Sequence, residues 1–187
     1  MTKRRTAKPP VDKTDVVYAV GVSLDGFIAD INGGVDWLHA AMVKGEGYGL
    51  EEFNASIDAV LMGSGTYEKS LAMGGGFGSA MPCWVFSKRP LTAKGVTVTA
   101  EEPASIVAGL PARGIRRAWL MGGGKLASSF LSAGLIDEIS IGLMPVVLGS
   151  GLPIFAGGIA PTHLELAQRD EYKGGAFGLV YRPKYRR

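Results

Sequence analysis

Three short stretches of the sequence carry residue types suited to holding an anion: "MGSGTYE", "FSKRP" and "MGGGKL". Each follows an apolar run, so each falls where a buried strand would end. Glycine lets a backbone come close to a ligand, and the free N–H groups that open a helix attract negative charge. Gly63, Ser64, Gly65 and Thr66 offer such N–H groups and two hydroxyls, and Thr66 is also placed to cap the helix that follows. Ser87, Lys88 and Arg89 add one hydroxyl and two cations, a set that suits a phosphate monoester. Gly122, Gly123 and Gly124, followed by Lys125 and Leu126, form a third turn. Taken singly, each is equally well a bare turn, a cap or a solvated basic loop. Taken together in one sheet, they would line one carboxyl edge, where open α/β sheets take ligands.

The third turn is not a P-loop: Leu126 follows the lysine, and Trp119 stands where the first glycine belongs. Nor is it the dinucleotide fingerprint, because Ala127 occupies the last glycine position. A fourth loop, "SLDGFIA", holds Asp25, the first candidate for substrate binding or proton delivery; Asp-Gly is equally a common turn pair. Ser23 beside it would orient a substrate or close the turn. Trp37 would stack on a heteroaromatic ring or pack in the core. His39 and His163 are too few for a metal site, so none is expected. Cys83 reads as a core residue, Tyr67 and Glu68 as decoration of a short helix, and Asp137 and Glu138 as solvated residues at a strand start.

The elements that must position these groups follow from apolar periodicity. Val16–Val22, Asp58–Gly63, Pro82–Ser87, Val96–Thr99 and "RRAWLM" predict five strands. "EEFNASI", "TYEKSLA" and "PASIVAGL" predict helices, as does the segment after Gly124, with Gly134 placed to end it. "GGVDWL" and Gly74–Gly78 read as loops. "LIDEISIGLMPVVLG" predicts a long strand broken at Pro145, and "THLELAQRDEY" and "AFGLVYRP" an antiparallel pair around Lys173–Gly175. Alternation first and strand after strand last implies an α/β fold with a mostly parallel sheet and an antiparallel C-terminal edge.

Among 187 residues, 47% are hydrophobic and 20% charged, which is ordinary for one soluble globular domain. No apolar run is long enough for a membrane span, the basic N-terminus lacks a signal-peptide core, and a single cysteine forms no internal disulfide. The cytoplasm is the expected location. Two tails of +4 each, residues 1–14 and 182–187, leave −5 for the body of a chain with net charge +3. The basicity therefore reads as solvated ends, with nucleic-acid contact the less favoured reading. The expected organisation is a basic tail over 1–14, one domain over 15–182 and a basic tail over 183–187.

In their order, "VSLDGFIA", "DAVLMGSGTYE", "PCWVFSKRP", "AWLMGGGKLASSFLSAGLIDEISI" and "PVVLGSGLPIF" resemble the dihydrofolate reductase-like superfamily. Within it the sequence is most similar to the reductase domain of bacterial riboflavin-biosynthesis proteins (the RibD C-terminal domain) and its stand-alone relatives. The resemblance implies a three-layer fold and an NADPH-dependent reductase, most simply acting on a phosphoribosylamino-pyrimidine. It implies that Gly63, Ser64, Gly65 and Thr66 approach the cofactor pyrophosphate, with Gly122–Leu126 as the second pyrophosphate turn. Ser87, Lys88 and Arg89 would lie near the adenosine ribose and its 2′-phosphate. Ser23, Leu24, Asp25, Gly26, Phe27 and Ile28 would border nicotinamide and substrate, and "PVVLGSGLPIF" would shape the far wall or a dimer contact. A homodimer is implied, with "ISIGLMPVVL" as part of its interface. Classical dihydrofolate reductases engage the pterin with a helix carboxylate; the comparable helix here offers Glu51 and Glu52. "MPCW" lacks the partners of a zinc deaminase site. Two alternatives stay open: a pterin reductase, and a nucleotide-binding regulatory protein without catalysis.

Overall fold

The computed structural model describes residues 9–75 and 81–185. The apolar run near the N-terminus forms β1 (Asp15–Ser23), whose Val16, Val17 and Tyr18 are fully buried. It is followed by β2 (Phe27–Ala29), α1 (Asp36–Ala41), α2 (Leu50–Ser56), β3 (Ala59–Gly63), α3 (Ser64–Ala72), β4 (Cys83–Phe86), β5 (Thr97–Thr99) and α4 (Pro103–Gly109). The second half runs β6 (Arg117–Gly122), α5 (Gly124–Ser132), β7 (Glu138–Met144), β8 (Leu152–Pro153), β9 (His163–Glu171) and β10 (Phe177–Lys184). The main sheet has the order β5-β4-β3-β6-β1-β7-β10-β9. Its first six strands are parallel, and β10 and β9 close it antiparallel.

Strand alternation divides the core between two faces. On one face Val16, Tyr18, Leu61, Ala118 and Leu120 meet Ala127, Phe130 and Leu131 of α5, with Ile106 and Val107 of α4 beside them. On the other, Val60, Met62 and Val85 meet Tyr67 of α3. There too Phe53 of α2 packs edge-on against Trp119, ring centroids 5.4 Å apart. Each fully buried side chain of this kind contributes about 1.5–3 kcal/mol.

Strands β1 and β6 feed helices on opposite faces, α1 and α2 on one and α5 on the other. Adjacent strands that send their connections opposite ways leave a crevice at their carboxyl ends. The ladder shows it: β1 pairs with β6 only from Asp15 to Tyr18, yet with β7 from Val17 to Ser23. Beyond Tyr18 the Trp119 indole N–H donates to the Ala19 carbonyl at 2.9 Å, where the β1–β6 ladder has ended.

Several expectations need correction. "GGVDWL" is not all loop, because Asp36–Ala41 is helical. Six residues carry little periodicity; Leu38 earns its place by packing over Gly21. Thr66 does not cap α3, since the helix already begins at Ser64. Tyr67 is a core residue at 3% exposure, not surface decoration. The long strand expected to break at Pro145 ends at Met144, directly before it. Some residues near the ends are built into the fold: Thr14 is buried and donates to the Ile115 carbonyl at 2.5 Å, Lys13 pairs with Asp137, and Tyr185 Oη donates to the Ile136 carbonyl at 2.8 Å. Of the glycine loop expected over Gly74–Gly78, residues 76–78 lie outside the described residues.

Candidate active site

The three anion-suited stretches meet in one cleft of ≈660 Å³ at the carboxyl edge of β3, β4, β5 and β6. Gly63, Ser64, Gly65 and Thr66 line one side, Ser87 and Lys88 an end, and Gly123, Gly124, Lys125 and Leu126 the other side. Each glycine turn leads directly into a nine-residue helix, α3 or α5, with no side-chain cap bond at its start. In α5 the first N–H with a helical partner is that of Ala127, which reaches the Gly123 carbonyl at 3.0 Å. The preceding N–H groups, those of Gly124, Lys125 and Leu126, are the ones a helix start offers to an anion.

Two glycines are required here. Gly122 has φ +99°, which strains any residue with a Cβ. At Gly124 a Cβ would run into the Pro153 carbonyl, because the 153–156 segment lies on the start of α5. The Ala156 N–H fixes that segment by donating to Ser128 Oγ at 3.0 Å. The cradle is thus shaped for backbone approach, with Lys88 and Lys125 as its cations and Glu101 and Glu102 as its carboxylates. These residues fit a dinucleotide with a pyrophosphate at the two turns.

Other site candidates fall elsewhere. Arg89 does not line the cleft; its Nη2 lies 2.6 Å from Glu68 Oε2 on α3. Gly122 sits one residue short of the cleft wall. Ser23, Leu24, Asp25, Gly26, Phe27 and Trp37 line neither this cleft nor the larger cavity described below. Asp25 acts as a clasp. Its carboxylate accepts Ser23 Oγ–H at 2.6 Å and the N–H groups of Leu148 and Gly149 at 3.1 and 2.7 Å. The Ser23 hydroxyl, followed by those two N–H groups, holds the Asp25 carboxyl below its ordinary range. An ionised carboxylate so occupied holds a loop better than it delivers a proton. The clasp continues as Gly26 O accepts the Ile154 N–H at 2.9 Å, and β2 pairs with β8. That brings Leu152 and Pro153 onto the cleft wall.

A second cavity of ≈1120 Å³ opens on the face of β1, β6, β7, β10 and β9 that carries α1 and α2. Ala19, Gly21, Leu38, Phe53, Trp119 and Met144 give it apolar and aromatic walls, and Glu52 lines it while Glu51 does not. Gly21 follows Tyr18 by three residues as Gly123 follows Leu120, and Tyr18 pairs with Leu120. The cavity and the cleft therefore reach the same level on neighbouring strands, one either side of the crevice. Sequence reading missed this cavity, whose walls come from seven elements; the glycine within the β-branched run of β1 and the lone tryptophan of β6 were its signals. Thr99–Pro103, the wall at the end of β5, was missed as well. Among the described residues no His, Cys, Asp and Glu cluster is arranged to hold a metal.

The model of the RibD C-terminal domain matches residues 14–176, nearly the whole described body. The chain belongs to the RibD C-terminal domain family. Among its relatives is the uncharacterized protein YwjB of Bacillus subtilis (strain 168), 33% identical over 174 residues that cover 91% of this chain and 98% of that one. Among solved structures, a Shewanella sp. PV-4 protein named for riboflavin biosynthesis superposes with TM-score 0.81 at 26% identity, covering 92% of this chain and 99% of that one. A dihydrofolate reductase from Enterococcus faecalis, solved as a complex with NADP(H) and RAB-propyl, shares the fold with TM-score 0.62 at 16% identity over 91% and 97% of the two chains. This RibD C-terminal domain thus has the mixed α/β, dihydrofolate reductase-like fold, and its family supports a reductase-like role. No helix among the described residues is long and apolar enough to cross a membrane.

Proposed function

We propose that this RibD C-terminal domain is an NADPH-dependent reductase of a small heterocyclic or sugar-amine substrate. The observation that carries the reading is the cleft, which gathers Gly63–Thr66, Ser87–Lys88 and Gly123–Leu126 around one elongated space. The N–H groups of the two glycine turns would hold the pyrophosphate, and Lys88 the 2′-phosphate. When bound, the cofactor supplies a hydride from its nicotinamide to an electrophilic C=N or C=O carbon, whose nitrogen or oxygen then takes a proton. The walls of the larger cavity would orient that substrate and exclude water from it. In this reading Ser23 and Asp25 act by holding the loop that frames the site, not as the acid. The expected homodimer belongs to the proposal. Leu164 and Leu166 on β9, 41% and 51% exposed, are side chains that an interface would cover.

The test follows the loss of reduced-nicotinamide absorbance with NADPH and a panel of pyrimidine, pterin and sugar-amine substrates. Turnover of one of them with NADPH is the expected result. Saturable NADPH binding with no oxidation across the panel would favour the regulatory alternative, and no NADPH binding would end both.

A further inference from the structure

The larger cavity carries a charge that the cleft does not. Glu46, Glu52, Glu138, Asp170 and Glu171 line it, against a single guanidinium, that of Arg117. Arg117 is already engaged: its Nη2 lies 2.6 Å from Glu138 Oε1 at the amino end of the strands. Glu46, Glu52 and Asp170 lie around a pair of aromatic rings in the same cavity. Tyr48 and Tyr172 have ring centroids 5.0 Å apart, tilted by 57°. Tyr48 is held in place as its Oη accepts the Val43 N–H at 2.8 Å. Burial first, then the charges of Asp170, Glu46 and Glu52, push the Tyr172 phenol up from its ordinary value. Three carboxylates on three separate elements therefore act on one phenol. Asp170 comes from β9, Glu52 from α2, and Glu46 from the loop between α1 and α2. Aromatic faces and carboxylates both attract a cation, and their negative field repels a phosphate.

We infer that the cavity takes a flat, unphosphorylated substrate whose amine or amidine-like cation sits against Tyr48 and Tyr172, facing Glu52 and Asp170. This rests on the reading of the cleft as the cofactor side and the cavity as the substrate side. It departs from the phosphoribosylamino-pyrimidine that the family resemblance favours, because such a substrate would bring a phosphate dianion into a space whose described lining carries five carboxylates against the one guanidinium of Arg117, itself paired with Glu138.

Three probes with one ring and different charge test it on the full chain: benzamidine, benzamide and phenyl phosphate, titrated by calorimetry. Benzamidine is expected to bind at least about fivefold tighter than benzamide. Phenyl phosphate should not displace it at tenfold excess. In Glu52→Gln/Asp170→Asn the benzamidine preference should vanish while benzamide binding stays, which also shows that the cavity remains folded. Displacement of benzamidine by phenyl phosphate, absence of saturable benzamidine binding, or a preference that survives the double variant would overturn the inference. A parallel NADPH titration separates the two ideas. A chain that binds NADPH but favours phenyl phosphate loses the substrate class alone. A chain that ranks the probes as expected but ignores NADPH keeps the cation site and loses the reductase reading.

Discussion

The cleft and the larger cavity sit on either side of one crevice, yet they are built from opposite materials. The cleft is made of backbone: two glycine turns, two helix starts, and side-chain charge that balances between Lys88, Lys125, Glu101 and Glu102. The cavity is made of side chains: Phe53 and Trp119 for walls, Tyr48 and Tyr172 at one side, and an excess of carboxylates. The difference bears on which of the two spaces would suit a phosphate. A backbone cradle with balanced side-chain charge around it accepts an anion, whereas an aromatic cavity with excess carboxylates repels one.

The largest expected break in this contrast comes from Gly124→Ala, which puts a methyl against the Pro153 carbonyl. Overpacking of about 1–3 kcal/mol should lower Tm by about 2–12 °C and weaken NADPH binding severely. Gly65→Ala, with nothing within 4 Å of its new methyl, should leave Tm nearly unchanged. Thermal melts with an NADPH titration compare the two.

A charge change at the end of the cleft comes next. Lys88→Ala should weaken NADPH by about tenfold or more with little effect on NADH, because a hydrogen bond to a charged group is worth about 1.5–3 kcal/mol. Arg89→Ala should change either affinity by no more than about twofold, since Arg89 is already paired with Glu68 at 2.6 Å on the surface. Equal losses in the two variants would return Arg89 to the cofactor site.

The clasp between the regions gives a smaller, pH-dependent effect. The native Asp25 carboxyl lies below its ordinary value, so its contribution is complete above about pH 3.9 and is lost as pH falls through the native value. Wild type should therefore exceed Asp25→Asn in Tm near neutral pH, with the gap closing in acid. A constant gap would detach Asp25 from the Leu148–Gly149 loop. Smallest of all is Cys83 beneath α3: burial pushes its thiol up to about 12, so iodoacetamide at pH 8 should label it only in denaturant. Rapid labelling of the folded chain would mean that the parallel half opens below the cleft.

The same contrast explains what was legible in the sequence. Each wall of the cleft is a local motif, a strand end with glycines or cations within a few residues, so Gly63–Thr66, Ser87–Lys88 and Gly123–Leu126 could be read and joined by sheet topology. The pairing of Arg89 with Glu68 could not be read locally, because the two residues are 21 positions apart. The cavity was not legible, because Glu52, Trp119, Glu138 and Asp170 meet only through tertiary packing. Helix α1 was hidden by its length, and the β2–β8 pair by strands of three and two residues. Asp25 was found as a residue that matters, but its bonds to Leu148 and Gly149 span more than 120 positions, and no local pattern shows them.

The central claim is that the cleft is the seat of a phosphorylated nicotinamide cofactor. Calorimetric titration of the wild-type chain with NADPH tests it most directly. The account predicts saturable, sub-millimolar binding at one site per chain, with NADH at least about tenfold weaker for want of the 2′-phosphate. No saturable binding of NADPH, or equal affinity for NADH, would contradict it.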